Sequence, residues 1–185
     1  MQPEPKLLDH DTAIRAFAEV ARDYCAWCEG PRASDPMQLL REATRHVARL
    51  YAAALELPDV DFADHPDPPD LPKVGWDAMF KSFGALPFNY YWEVYDPAIE
   101  GKEESVVGDV ADDLTDIYSD LSKGLWLRDR GHALAAVWSW KFTFDRHWGR
   151  HAVSALRALH CHGDGERGDG ERNEAHDGSF WFGRR

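Results

Sequence analysis

The amino-acid sequence predicts an all-α protein, a single-domain helical bundle of four main helices plus one short helix, with a disordered C-terminal tail. Three observations lead to this fold class. Apolar residues recur every three or four positions through four long stretches, which is the spacing of one helix face. The aromatic run at 88–95 has strand propensity without a convincing partner strand, and the alternating run at 138–144 has strongly helical flanks. A chain of 185 residues is also long enough to bury one core without disulfides.

End signals define the first two helices. A first helix, capped by Asp9 or Asp11, is predicted to run to about Glu29, where Gly and Pro follow. A second helix begins at Asp35-Pro36, a capping aspartate followed by a proline at the first helical position, and reaches about Leu55. The short loop between them predicts that the two helices pack antiparallel.

The middle of the chain is less regular. Prolines and aspartates alternate through residues 56–73 and predict a long acidic loop. A short helix is expected over residues 76–83, ended by a glycine. The aromatic run at 88–95 has strand propensity, but the sequence shows no convincing partner strand. We therefore expect a short helix or an ordered loop there, within an irregular region spanning 86–104.

Two further helices complete the predicted domain, which spans residues 1–160. Ser105 is expected to cap the helix that contains residues 109–125, and Gly131 separates it from a last helix over 132–160. Residues 161–185 are rich in Gly, Asp, Glu and Arg, so they are predicted to form the disordered tail. The aromatic triplet Phe180-Trp181-Phe182 stands near its end.

Charge and composition limit the function classes. The formal net charge is −12, and residues 56–120 hold 17 acidic and 3 basic side chains. Such a field disfavours nucleic acid and anionic membranes and favours cations or a basic protein surface. The absence of a long apolar run and of a signal-like N-terminus predicts a cytoplasmic protein without a membrane span.

The cysteines agree with a reducing compartment. Three cysteines are an odd number for a disulfide framework. Cys25 and Cys28 fall on the apolar face of the first helix, so we predict two buried core thiols rather than half of a zinc site.

An aspartate stripe is the strongest functional signal in the sequence. It lies beside an apolar stripe of the fourth helix and consists of Asp109, Asp112, Asp113, Asp116 and Asp120. Aspartate is a poor helix former, and like charges one turn apart repel each other. A stripe of this kind indicates a specific role. Our leading hypothesis is a non-catalytic protein-interaction module that presents this face to a basic partner and needs no cofactor.

A metal site is the alternative hypothesis. On a helix, Asp112, Asp113 and Asp116 form a DDxxD pattern suited to Mg²⁺ or Mn²⁺. His147 and His151 lie one helical turn apart, a spacing that can bind Zn²⁺ or another transition metal. If the two helices face each other, these five residues would form a divalent-metal site for a hydrolase.

Three segments resemble one protein family. They are Asp112-Asp-Leu-Thr-Asp-Ile-Tyr-Ser-Asp-Leu121, His147-Trp-Gly149 and Ala155-Leu-Arg-Ala-Leu-His160. In this combination the chain is similar to the bacterial domain of unknown function DUF5063, over most of its length up to His160. The resemblance implies an all-helical bacterial domain. It implies no reaction and no ligand.

Overall fold

The computed structural model of the chain describes residues 10–94 and 104–168, with side chains up to Gly163. It is 69% helical, with one two-stranded antiparallel sheet, so the all-α prediction is confirmed. The elements in chain order are α1 (His10–Glu29), α2 (Pro36–Ala54), α3 (Lys73–Ser82), β1 (Tyr90–Glu93), β2 (Val106–Asp109), α4 (Val110–Asp129), α5 (Ala133–Thr143) and α6 (Gly149–Gly168).

One aromatic-rich core holds the helices together. Helix α4 lies at its centre and packs on α1, α5 and α6, while α2 packs on α1 and α6. Trp140 and Trp148 are fully buried, and both rings contact Phe17 of α1. The indole Nε1 of Trp140 donates to the carbonyl of Leu121 at 3.1 Å, which satisfies its buried polar atom.

The first two helices agree with the sequence prediction. Asp35 caps α2 by accepting from the backbone N–H of Met37 at 2.9 Å, with Pro36 at the first helical position. Both predicted core thiols, Cys25 and Cys28, are free and buried, as expected for small apolar side chains on the inner face of α1.

The short helix starts earlier than predicted. Helix α3 begins at Lys73 and ends at Ser82, so the predicted start at Trp76 was three residues late. Pro72 explains the difference, because its carbonyl accepts from the N–H of Trp76 and so closes the first turn. The acidic loop before α3 contains no helix or strand, as its prolines predicted.

Residues Tyr90–Glu93 of the aromatic run form a strand, so the prediction of a helix or loop there was wrong. Tyr90 pairs with Asp109 and Glu93 with Val106 in an antiparallel ladder. The partner strand had been assigned to the start of the following helix. That helix begins at Val110, and its cap is Asp109, whose carboxylate accepts from two backbone N–H groups, rather than Ser105.

The last predicted helix is continuous but carries a π-helical segment. Residues Phe144–Trp148 adopt π geometry between α5 and α6. Gly149 makes this possible, because a Cβ at this position would lie 2.2 Å from the carbonyl oxygen of Phe144. Helix α6 also reaches Gly168, eight residues beyond the predicted end at His160, so the predicted boundary at residue 161 falls inside a helix.

Some predictions concern residues outside the described ranges. They include the alternative cap Asp9, residues 95–103, most of the predicted tail and the triplet Phe180-Trp181-Phe182. Within the described residues, no helix combines the length and the apolar character needed to cross a bilayer.

We predict that Gly124→Ala destabilises the bundle. A Cβ at Gly124 would lie 2.0 Å from Nε1 of Trp140, and the buried indole cannot retreat without breaking its packing. The free energy of unfolding in urea should fall by about 1–3 kcal/mol, the usual cost of overpacking a core. Gly75→Ala is the control, since the nearest atom to its Cβ would be Cδ1 of Leu71 at 3.2 Å, the end of a flexible side chain. An equal loss in both variants would contradict this packing.

We predict that one thiol of three reacts in the folded protein. Burial raises the pKa of Cys28 to about 12 and holds the pKa of Cys25 well above its ordinary value, so both stay as unreactive thiols. Cys161 is exposed. Titration with a chromogenic disulfide should therefore modify Cys161 at once and all three cysteines only after denaturation. Rapid loss of all three thiols would refute the burial of the pair on α1.

Candidate active site

Two aspartate–histidine hydrogen bonds join α4 to the end of the π segment and the start of α6. Nδ1 of His151 donates to Asp113 at 2.7 Å, and Nδ1 of His147 donates to Asp120 at 2.8 Å. The two segments run antiparallel, since the later histidine meets the earlier aspartate. Each imidazole is thereby held in one tautomer, with its Nε2 available as a ligand atom.

Asp113 is the most buried member of the site. It is only 5% exposed, and besides His151 it accepts a hydrogen bond from the hydroxyl of Tyr91 at 2.7 Å. Gly108 of the neighbouring strand allows this approach, because a Cβ there would lie 2.3 Å from the Tyr91 ring. The hairpin formed by β1 and β2 therefore contributes to the site by placing the Tyr91 hydroxyl against the buried carboxylate of Asp113.

Asp116 lies between the two pairs. The indole Nε1 of Trp76, on α3, donates to one of its oxygens at 3.1 Å. The other oxygen lies 3.7 Å from Nε2 of His151. Asp116, His147 and His151 each offer one ligand atom, and these three atoms lie within 4.8 Å of one another.

This geometry is close to that of a bound transition metal. Ligand atoms about 2.0–2.1 Å from a shared ion in tetrahedral geometry lie roughly 3.4 Å apart, so these atoms would have to approach one another by about an ångström to hold one ion. His147 can supply that movement, because its side chain is 49% exposed. The two imidazole rings already lie edge to face, with centroids 4.8 Å apart.

A cavity of about 1020 Å³ opens beside this cluster. One wall is the hairpin, including Tyr91, Trp92 and Val107, and the opposite wall is the face of α6 that carries His151. His147 lines the cavity together with His151, whereas Asp116 does not, so the cluster lies at the edge of the cavity. A small molecule in this cavity would reach the imidazoles directly.

The carboxylates perturb the titration of the site. Burial alone would lower the pKa of His151, but the hydrogen bond to Asp113 and the nearby charge of Asp116 raise it. Burial raises the pKa of Asp113, against the hydrogen bonds from His151 and Tyr91. Desolvation and the neighbouring carboxylates also raise the pKa of Asp112. Such shifts are typical of functional sites.

The predicted metal residues are largely brought together. Asp116, His147 and His151 form the cluster of ligand atoms and Asp113 is bonded to His151, while Asp112 lines the cavity outside the cluster. The acidic stripe does not form one solvated face, because Asp113 and Asp120 are buried. Four of its five carboxylates accept hydrogen bonds from within the chain, namely those of Asp109, Asp113, Asp116 and Asp120.

Sequence reasoning missed three contributors to the site. Tyr91 lies in the aromatic run that was not predicted to be a strand. Exposure alternates along this run, with Tyr91 and Glu93 on the more buried face, which is typical of a strand. Trp76 carried no signal beyond its place on a short helix. Asp120 was counted with the acidic stripe and not with the histidines.

A family model and a solved structure are similar to this chain. The family model described as Domain of unknown function (DUF5063) matches residues 8–163. A crystal structure of protein BF1032 from Bacteroides fragilis is similar, with a TM-score of 0.67 at 19% sequence identity, over 81% of this chain and 91% of that chain. No curated protein matches the sequence significantly.

We predict that the hydroxyl of Tyr91 stabilises the fold. Tyr91→Phe leaves the buried carboxylate of Asp113 one donor short, which should lower the free energy of unfolding by roughly 1–3 kcal/mol. The matched control is Tyr90→Phe on the opposite face of the same strand, where the ring is 69% exposed. Chemical denaturation of both variants measures the difference. Equal stability of the two would count against the hydrogen bond.

Proposed function

The chain belongs to the DUF5063 family, whose description supplies no activity, so we propose a function from the site itself. We infer that the protein is a divalent-metal-dependent hydrolase, with Asp116, His147 and His151 as the metal ligands. Asp113 and Asp120 orient the two histidines.

One observation carries this proposal. Each histidine donates its Nδ1–H to a largely buried aspartate while Asp116 faces the same point between α4 and α6. Metal-binding histidines commonly donate their second ring N–H to a carboxylate, which fixes the ring and makes the ligand nitrogen more basic. A purely structural histidine has no need of a third, convergent carboxylate.

The ligand set favours a transition metal. Imidazole nitrogens suit Zn²⁺ and Fe²⁺ and carboxylate oxygens suit Mn²⁺, whereas Mg²⁺ prefers a set made of oxygen ligands and water alone. Two histidines and one carboxylate leave coordination positions open for water and substrate. Among the ions that the sequence suggested, the set therefore favours Zn²⁺ or Mn²⁺ over Mg²⁺.

Hydrolysis is the reaction that such a site supports. A divalent ion held by Asp116, His147 and His151 would lower the pKa of its bound water and so supply hydroxide near neutral pH. That hydroxide would add to the electrophilic atom of the substrate as the bond to the leaving group breaks. Asp112 lines the cavity beside the cluster, and its raised pKa suits transfer of the water proton to the leaving group.

The interaction hypothesis has weaker support. It requires the aspartate stripe to meet a basic surface, yet Asp113 and Asp120 are buried and bonded to histidines. Asp112 and Asp116 are half-buried rather than fully presented. A partner using this face would first have to displace internal hydrogen bonds, so the metal hypothesis explains more of the geometry.

Metal uptake tests the proposal. We expect the purified protein to bind about one Zn²⁺ or Mn²⁺ per chain in equilibrium dialysis with elemental analysis. His151→Gln and Asp116→Asn should each weaken metal binding at least about tenfold, because each removes one ligand. Even substitution of a residue that only hydrogen-bonds to a metal ligand commonly lowers metal affinity that much. His160→Gln is the control, since it removes an imidazole from the same helix outside this cavity.

Two further readings complete this test. Circular dichroism must show that each variant keeps its helical content, so that lost binding is not lost folding. Wild-type protein that takes up neither Zn²⁺ nor Mn²⁺ would refute the metal site. Uptake that survives both ligand substitutions would show that the ion binds elsewhere.

A further inference from the structure

We propose that the cavity beside the histidines binds a phosphoryl group, and that Arg146, Arg150 and Arg157 are the residues that hold it. This inference rests on the proposed function, because it names the class of compound on which the metal acts. The substrate would be a small phosphate ester, with its phosphoryl group between the arginines and the metal.

The arginines lie on the same helical stretch as the histidines. All three line the cavity. Arg150 and Arg157 lie seven residues apart, about two α-helical turns, so they share one face of α6. Arg146 and Arg150 are the direct sequence neighbours of His147 and His151. Helical side chains also lean toward the N-terminus, which directs Arg157 back toward the metal cluster.

Two of these arginines are not engaged in ion pairs. Within the described part of the chain, neither Arg146 nor Arg157 has a salt-bridge partner, although Glu93, Asp112 and Asp145 line the same cavity. Lys141 holds Asp145 at 2.9 Å, and Ser154 donates to Glu93. Asp145 and Glu93 are thus occupied, and the guanidinium groups of Arg146 and Arg157 are left for an anion.

Phosphate matches this surface better than a carboxylate does. A guanidinium fork binds phosphate oxygens in pairs, and a divalent ion binds a third oxygen, so charge is neutralised from two sides. This combination of arginines with a metal ion recurs wherever phosphoryl groups are transferred. A carboxylate has only two oxygens and one charge, so it could not use both elements fully.

The hairpin wall indicates the rest of the ligand. Trp92 and Val107 form a cross-strand pair and are 70% and 59% exposed, yet both line the cavity. An indole face beside an apolar side chain offers a stacking surface for a planar group. We expect the phosphate ester to carry a planar or apolar body that packs on this wall.

Phosphate titration tests the proposal in the full-length protein. Inorganic phosphate is titrated by calorimetry into wild-type protein and into the double variant Arg146→Gln with Arg157→Gln, both with and without Mn²⁺. Acetate serves as the carboxylate probe. Arg15→Gln is the control, since this exposed arginine of α1 lies away from the cavity.

We expect phosphate to bind wild-type protein more tightly than acetate. The double variant should lose about tenfold or more in phosphate affinity, because each charge-assisted hydrogen bond to an anion is strong. Its affinity for Mn²⁺ should not change, and Arg15→Gln should behave as wild type. Circular dichroism of the double variant should match that of the wild type, since both arginines are exposed.

Contrary results separate this proposal from the metal site. Equal phosphate affinity of the wild type and the double variant would overturn the phosphoryl site while leaving the metal site intact. Equal affinity for acetate and phosphate would overturn the choice of phosphate. If no metal binds, the proposed hydrolase is refuted, and the titrations without metal then test only whether the arginines bind phosphate. Phosphate binding that is lost in the double variant would support the anion site. Absence of phosphate binding would overturn it.

Discussion

The hydrogen bond between Asp113 and His151 is the constraint on which the outer parts of this protein depend. A carboxylate that is 5% exposed must be paired, because a buried charge without partners costs several kcal/mol. The pairing fixes α6 against α4 and draws in Tyr91, and with it the hairpin. Asp116 fixes α3 in the same way through Trp76. The apolar stripe of α4 forms part of the core. The carboxylates of α4 position α6, the β1–β2 hairpin and α3 around that core.

Glycines give this polar network its geometry. Gly149 admits the Phe144 carbonyl into the space where a Cβ would stand, so the π segment can form directly before α6. That segment carries His147, and π insertions of this kind are frequent at functional sites. Gly108 likewise leaves space for the Tyr91 ring, which a Cβ at this position would block. Positions with no side chain of their own therefore decide where the reactive side chains lie.

The helices were predictable because their signals are local. Capping residues and apolar spacing lie within a few residues of the ends they define, as at Asp35. The β1–β2 hairpin was not predictable, because its two strands are separated in sequence and β1 can be identified as a strand only once its partner β2 is known. For the site, spacing alone placed His147 and His151 opposite the aspartates. Spacing could not show which carboxylates meet the imidazoles, so Asp112 and Asp113 were predicted as ligands together with Asp116, and the hydrogen bond of Asp120 to His147 was not predicted.

Stability alone does not account for this arrangement. Replacing buried ionic groups by well-packed apolar residues is often neutral or stabilising, so a bundle of this size has no structural need of carboxylates between its helices. Asp112, Asp113, Asp116 and Asp120 carry four negative charges around two imidazoles. Metal binding needs neutral imidazoles, and in that state nothing within this group offsets the four carboxylates, so a divalent cation would neutralise half of their charge. Bound ions are often the largest charges in a site and reverse its local electrostatics. A cation held by Asp116 and both histidines would therefore relieve the repulsion that the aspartate stripe imposes on α4.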